Sequence, residues 1–192
     1  MKKIIINPFE KFTEIQLFIL GVALTVGGSL LSYLLKCRVD GVLHIGAGIN
    51  VTIAQSFIDS GIATFSLFIV FYVLGLVINK KTRLIDILNT VLIGRSPMYL
   101  LTLGNVNGLI NTMDKGAASA NTVATNFSPV EYAGLLFFSL FAICFLVWIV
   151  ALLYNGFKTA TNLKSTTHKI AFGVSIFFAG IVAEIIVYSI NY

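Results

Sequence analysis

Five stretches of this chain, near residues 15–35, 61–78, 84–103, 130–153 and 169–190, stay apolar over long runs, and polar residues gather between them. A bilayer core is crossed by about 20 apolar residues in a helix. In hydrocarbon, a helix is the economical way for one continuous segment to satisfy its own backbone groups. The pattern therefore predicts an all-α, polytopic protein with five transmembrane helices in a single domain over 1–192. Of the longer connections, 36–60 holds RVDGVLHIGAGIN followed by the mixed stretch VTIAQSFIDS. That stretch reads either as an amphipathic extension of the second helix or as a surface hairpin, and periodicity does not separate the two. The connection 105–127, rich in Asn, Gly, Ser, Thr and Ala, predicts a solvated loop.

Composition agrees with a lipid solvent. Hydrophobic residues make up 57% and charged residues 11%, with a mean hydropathy of +0.94, whereas soluble domains carry about 25% charged residues. Lys and Arg outnumber Asp and Glu by 13 to 8. No basic block is interleaved with aromatics on a polar domain, so nucleic acid is not an expected partner. The charges sit instead at the ends of apolar runs. One set of connections collects Lys2, Lys3, Lys11, Lys80, Lys81, Arg83, Lys158, Lys164 and Lys169; the other has only Lys36, Arg38 and Lys115. By the positive-inside rule the N-terminus is expected in the cytoplasm and the C-terminus, Asn191-Tyr192, outside, as in a multi-pass membrane protein. The start MKKIIINPFEKFTE lacks a small-residue cleavage site after a short apolar core, so it does not read as a removable signal peptide. Cys37 and Cys144 are too few for a disulfide framework and read as thiols, with Cys37, beside Lys36 and Arg38, placed at a membrane edge.

Local signals place helix starts. Asn7-Pro8-Phe9-Glu10 offers an N-cap, a proline at the first helical position and an early acid. Ser128-Pro129-Val130-Glu131 repeats this with capping-box spacing. Residues 1–14, with Phe9 and Phe12 beside Glu10, Lys11 and Glu14, are expected to lie at the membrane interface as an amphipathic segment. Asn50-Val51-Thr52 and Asn126-Phe127-Ser128 match the glycosylation pattern but carry little weight in so Asn-rich a chain. In the first span Gly21, Thr25 and Ser29, and also Gly28 and Ser32, recur four residues apart; Ala179, Gly180 and Ala183 stand in the fifth. Such stripes let helices approach closely in lipid.

Two ionisable side chains fall within the predicted hydrocarbon: Arg95, in the stretch GRSPMYLL, and Glu184, in AGIVAEIIVY. At about 1.5 Å per residue they lie roughly 16 and 22 Å from the starts of their helices, within an arginine's reach of each other. A lone charge at mid-bilayer costs about 2.5–3.5 kcal/mol on insertion scales. Arg95 and Glu184 are therefore expected to pair, fixing how the third and fifth helices dock. Pro97 cannot donate to the carbonyl of Ile93 and is expected to kink or break the third helix, freeing that carbonyl for Arg95, Ser96 or Asn89.

No zinc-protease H-E-x-x-H, nucleophile elbow, P-loop or Cys/His cluster occurs, and His44 and His168 fall in connections on opposite sides. Gly46-Ala47-Gly48 lacks a βαβ context and reads as a turn. Neither an enzyme nor a cofactor or metal site is expected.

The segments NPFEKFTE, RVDGVLHIG, NKKTRLIDILNT, GRSPMYLL and YNGFKTATNLK together resemble a bacterial member of the YIP family, the Ypt-interacting membrane proteins, over nearly the whole chain. The resemblance implies five transmembrane helices, a cytoplasmic N-terminus, and a non-enzymatic role with self-association or a membrane-protein partner. Eukaryotic members bind small prenylated GTPases through a cytosolic N-terminal region. Here that region is about 14 residues, and NPFEKF stands where those relatives carry Asp-Leu-Tyr-Gly-Pro, so GTPase binding is not carried over.

Two functions are in view. One is a membrane-organising or partner-binding scaffold whose basic surface is formed by Lys80, Lys81, Arg83, Lys158, Lys164 and Lys169, residues also suited to anionic headgroups. The other is a small channel or carrier, with Arg95, Glu184, Asn89, Ser96 and the break at Pro97 lining a path. Five spans admit no simple inverted repeat, which weighs toward the scaffold.

Overall fold

The computed structural model describes residues 5–48, 50–111 and 129–190. Among these, five helices are long and apolar enough to cross a membrane. They are α1 (Glu14–Leu34), α2 (Ile53–Ile78), α3 (Leu84–Leu101), α4 (Pro129–Thr161) and α5 (Thr166–Ile190). Between α1 and α2 lies a small antiparallel hairpin, β1 (Cys37–Arg38) and β2 (Gly46–Ala47), with Cys37 opposite Ala47. Lys2, Lys3, Lys115, the Asn126 acceptor pattern, the Ser128 cap, most of the 105–127 connection and Asn191-Tyr192 lie outside the described residues.

Helices α1 and α2 begin where backbone donors find side-chain acceptors. Thr13 accepts from the N–H of Gln16, and the Gln16 side chain accepts from the N–H of Thr13, which closes a capping box on α1. Thr52 and Gln55 repeat this box on α2. The mixed stretch VTIAQSFIDS is thus the extended start of α2, which begins at residue 53 rather than 61. Asn7 makes no side-chain cap, and Pro8–Glu10 forms only a 3-10 turn. Ahead of that turn the chain follows α4. Trp148 Nε1 donates to the Ile5 carbonyl at 2.9 Å, and Asn155 Nδ2 donates to that of Ile6 at 3.0 Å.

Packing follows the small residues. Gly21 lies against Leu92, and a Cβ on Gly28 would fall inside the Tyr99 ring, so the small face of α1 is where α3 docks. Gly94 of α3 abuts Leu153 of α4 in the same way. Ala179 and Ala183 are fully buried on α5, which packs on α2, whereas Gly180 faces open space. Helix α3 therefore runs through the middle, between α1 and α4, with 67% of its span buried against 11% for α4. Phe71, Phe157 and Phe172 meet with ring centroids 5.0–5.3 Å apart and join α2, α4 and α5. The outward faces carry Ile19, Phe65, Val77, Leu136, Phe137, Val174 and Phe177, all exposed. So continuous an apolar surface calls for a hydrocarbon solvent. Several helical hydroxyls are satisfied locally, as in Ser32 Oγ to the Gly28 carbonyl at 2.8 Å.

Pro97 does not break α3, which remains helical through Leu101 before a 3-10 turn at Thr102–Asn105. The carbonyl that proline leaves without a helical donor, that of Ile93, accepts from Ser96 Oγ at 2.8 Å. This local replacement is how proline is accommodated inside membrane helices.

Candidate functional site

The bundle has two polar ends. At one, called here the basal end, the α2–α3 and α4–α5 connections meet the start of α1; at the other sits the hairpin.

The hairpin is folded into the bundle. Val39 and Val42 belong to the hydrophobic core together with Leu67 and Phe71 of α2 and Ala183 of α5. The strands are closed by Gly48 N–H donating to Lys36 O at 2.8 Å, where any Cβ on Gly48 would strike the Cys37 backbone. Gly46-Ala47-Gly48, expected as a turn, thus supplies the second strand and its close approach. From the far side Asn105 Nδ2 donates to Leu35 O at 2.7 Å and fastens the end of α1 to the turn after α3. Irregular backbone at this position is permissible because protein, not lipid, surrounds it.

Arg95 is the central fastening. It is 1% exposed. One terminal nitrogen donates to the Ser60 carbonyl at 3.0 Å and to Thr64 Oγ1, both on α2. The other donates to the Gly41 carbonyl, at the tip of the hairpin, at 3.1 Å. Its Nε has no acceptor among the described residues. The expected pair with Glu184 does not form. Comparable depth was not enough, because α5 docks on α2 while α3 is flanked by α1 and α4. Oxygen dipoles of α2 and the hairpin take the place of a counter-ion.

Glu184 is exposed and lines a cavity of about 700 Å³ at the hairpin end, with Arg38, Asp40, His44, Tyr188 and Ser189. Beside it is the acid that sequence reasoning missed. Asp59, wholly buried on α2, accepts from Arg38 Nε at 2.6 Å and from an Arg38 terminal nitrogen at 3.3 Å. Arg38 also lies 3.8 Å from Asp40, which meets His44 Nδ1 at 2.6 Å. The T-x-x-Q pattern at Thr52 was the available signal, since a helix starting there carries Asp59 inside the bundle. Among the described residues no cluster of His, Cys, Asp and Glu is arranged to hold a metal ion.

The remaining candidate pore residues are scattered. Asn89, 2% exposed, points toward α1 and donates to the Glu14 carbonyl at 3.0 Å. It lines a separate basal cavity of about 600 Å³. Ser96 and Pro97 border an apolar groove between α1 and α4. Arg95 lines none of these three cavities.

The basic residues divide as well. Lys80, Lys81, Lys158, Lys164 and Lys169 are all exposed, and Asn79 Nδ2 donates across to Thr161 O at 3.4 Å, joining the two connections that bear them. Arg83 is not a free surface cation. It donates to both carboxylate oxygens of Asp86 at 2.8 Å and lies 2.5 Å from Glu14 Oε1. The bonds it donates to Asp86, then Glu14, raise its pKa and hold it protonated.

Five apolar helices whose outward faces expose large apolar side chains mark a multi-pass membrane protein. No family model, curated protein or solved structure matches the chain.

Proposed function

We propose that the chain is a YIP-type, non-enzymatic membrane-organising or partner-binding protein of a bacterial inner membrane, its N-terminus and basal end cytoplasmic. The observation that carries this reading is the placement of Arg95. A channel or carrier built on GRSPMYLL needs that guanidinium beside a path, whereas its terminal donors engage Ser60, Thr64 and Gly41 and it lines none of the three cavities around it. A buried cation used in this way sets the docking of elements rather than the passage of a solute. Support for the basal end as the partner surface comes from Lys80, Lys81, Lys158, Lys164 and Lys169, exposed on two connections that touch. Lysines near an anionic leaflet each contribute on the order of 1 kcal/mol, so this end would rest against headgroups and present itself to partners there.

Site-specific photo-crosslinkers at positions 81 and 164, compared with one at 44, test the reading in cells. Crosslinks to a second copy or to another membrane protein are expected from the two basal positions. Flux through protein-bearing liposomes that disappears in Arg95→Met would replace this proposal with the carrier alternative, and crosslinking confined to position 44 would overturn the basal end as the partner surface.

A further inference from the structure

The basal cavity is lined on one side by Glu14, Arg83 and Asp86 and at its inner end by Asn89, with Phe9, Phe12 and Ile15 contributing apolar lining. At its wall Thr90 and Phe9 pack tightly on Gly156, where a Cβ would lie 2.6 Å from Thr90 Oγ1 and 2.8 Å from the Phe9 ring. Three features of its lining point to a ligand. Asn89 is 2% exposed, its amide nitrogen is held by Glu14 O, and its Oδ1 is a buried acceptor with no donor among the described residues. Leaving such an acceptor unsatisfied is costly, and it calls for an N–H or O–H from whatever fills the cavity. The two carboxylates outnumber the single guanidinium, so the lining carries a net negative charge and favours a cationic donor. Yet Arg83 spends only Nε and one terminal nitrogen on Asp86 and Glu14, which leaves its other terminal nitrogen able to donate to an anion at the mouth.

Acceptors within and a guanidinium donor at the rim complement a zwitterion whose ammonium enters first and whose phosphate stays outside. We propose that this cavity binds the headgroup of a phospholipid bearing a primary ammonium, as in phosphatidylethanolamine. The ammonium N–H groups meet Asn89 Oδ1 and the carboxylates of Glu14 and Asp86, and the phosphate meets Arg83. The position favours a lipid over a soluble amine. The cavity opens where α1 and α3 begin, and Phe12 and Ile15 at its rim are exposed large apolar side chains beside which acyl chains can lie. The inference goes beyond the proposed function and holds whichever partner the basal end meets.

The test uses the full-length protein in detergent, delipidated and titrated with lipids of identical chains, with binding read by native mass spectrometry. Phosphatidylethanolamine should bind about tenfold more tightly than phosphatidylcholine, whose quaternary ammonium has no N–H to donate, the difference being that of one charge-assisted hydrogen bond. Phosphatidylglycerol should bind no better than phosphatidylcholine. Asp86→Asn and Glu14→Gln, each near-isosteric, should both erode the preference, and the wild-type series stands even if one variant folds poorly. Soluble phosphoethanolamine at the lipid's concentration should not displace it; displacement would overturn the lipid assignment in favour of a soluble amine. Equal binding of the three lipids, or a preference unchanged in both variants, would overturn the site.

Discussion

Replacing Arg95 with methionine removes the charge while leaving an unbranched side chain in its place. The guanidinium makes three hydrogen bonds, and bonds to a charged group contribute about 1.5–3 kcal/mol each. Most of that is offset, because the same substitution relieves the burial of a cation with no carboxylate beside it, a penalty of several kcal/mol. The balance rests on the acceptors left behind. Ser60 O keeps Thr64 Oγ1 as a donor at 2.7 Å, whereas Gly41 O has no second donor among the described residues. One stranded buried carbonyl costs about 1–3 kcal/mol, and the cost falls on the hairpin that carries it. Cys37, wholly buried at the base of that hairpin, reports it directly. In a Cys144→Ala background, which removes the exposed thiol, maleimide labelling of Cys37 should accelerate about 5- to 150-fold in Arg95→Met, the same free energy read as a local opening equilibrium. Glu184→Gln should leave the rate unchanged, and the Arg95/Glu184 double mutant should be additive within about 0.5 kcal/mol. Unaltered labelling in Arg95→Met, or a coupling between Arg95 and Glu184 above about 1 kcal/mol, would refute the role assigned to the hairpin carbonyls.

Further outcomes follow from the packing. Gly28→Ala should destabilise the detergent-solubilised protein by about 1–3 kcal/mol through overpacking against Tyr99. One residue away Gly27→Ala, which meets nothing, should be neutral or stabilising by about 0.5–1 kcal/mol in thermal melts. Arg38→Met removes the ion pair of the buried Asp59 carboxylate and should destabilise more than the double variant Arg38→Met/Asp59→Leu, as a thermodynamic cycle would show. Cysteines placed at Lys80 and His44 in a chain without Cys37 and Cys144 should label from opposite faces of sealed vesicles, with position 80 on the cytoplasmic face; labelling of both from one face would contradict the topology proposed.

The spans were legible because hydrocarbon imposes one requirement on every residue of a segment, and a run such as LFFSLFAICFLVWIVALL meets it without reference to the rest of the chain. Stripes such as Gly21 and Gly28 were legible for a related reason, since close approach depends on a missing side chain. The partner of Arg95 was not. Backbone carbonyls are the acceptors it uses, and every residue offers one, so Gly41 and Ser60 carry no mark of that role in their side chains. Depth along a helix also says nothing of azimuth, which is why Arg95 and Glu184 looked like partners while belonging to helices with different neighbours. The buried hairpin was hidden by its composition: RVDGVLHIG reads as a polar connection, and its Val39 and Val42 gain meaning only once α2 and α5 close around them.

The clamp at Arg95 also orders events in time. The Gly41 carbonyl is made 54 residues before the guanidinium that holds it, so during synthesis that carbonyl waits for its donor while α2 is threaded. Helix α3 arrives as the least hydropathic of the five spans, at 1.2 against 2.0–2.9 for the others, and with a cation that lipid alone would reject. Its natural port of arrival is the cleft that α1, the hairpin and α2 already form. Assembly of this bundle is then a matter of docking a guest into a prepared host, and the translocation machinery must keep that host within reach until the guest has come.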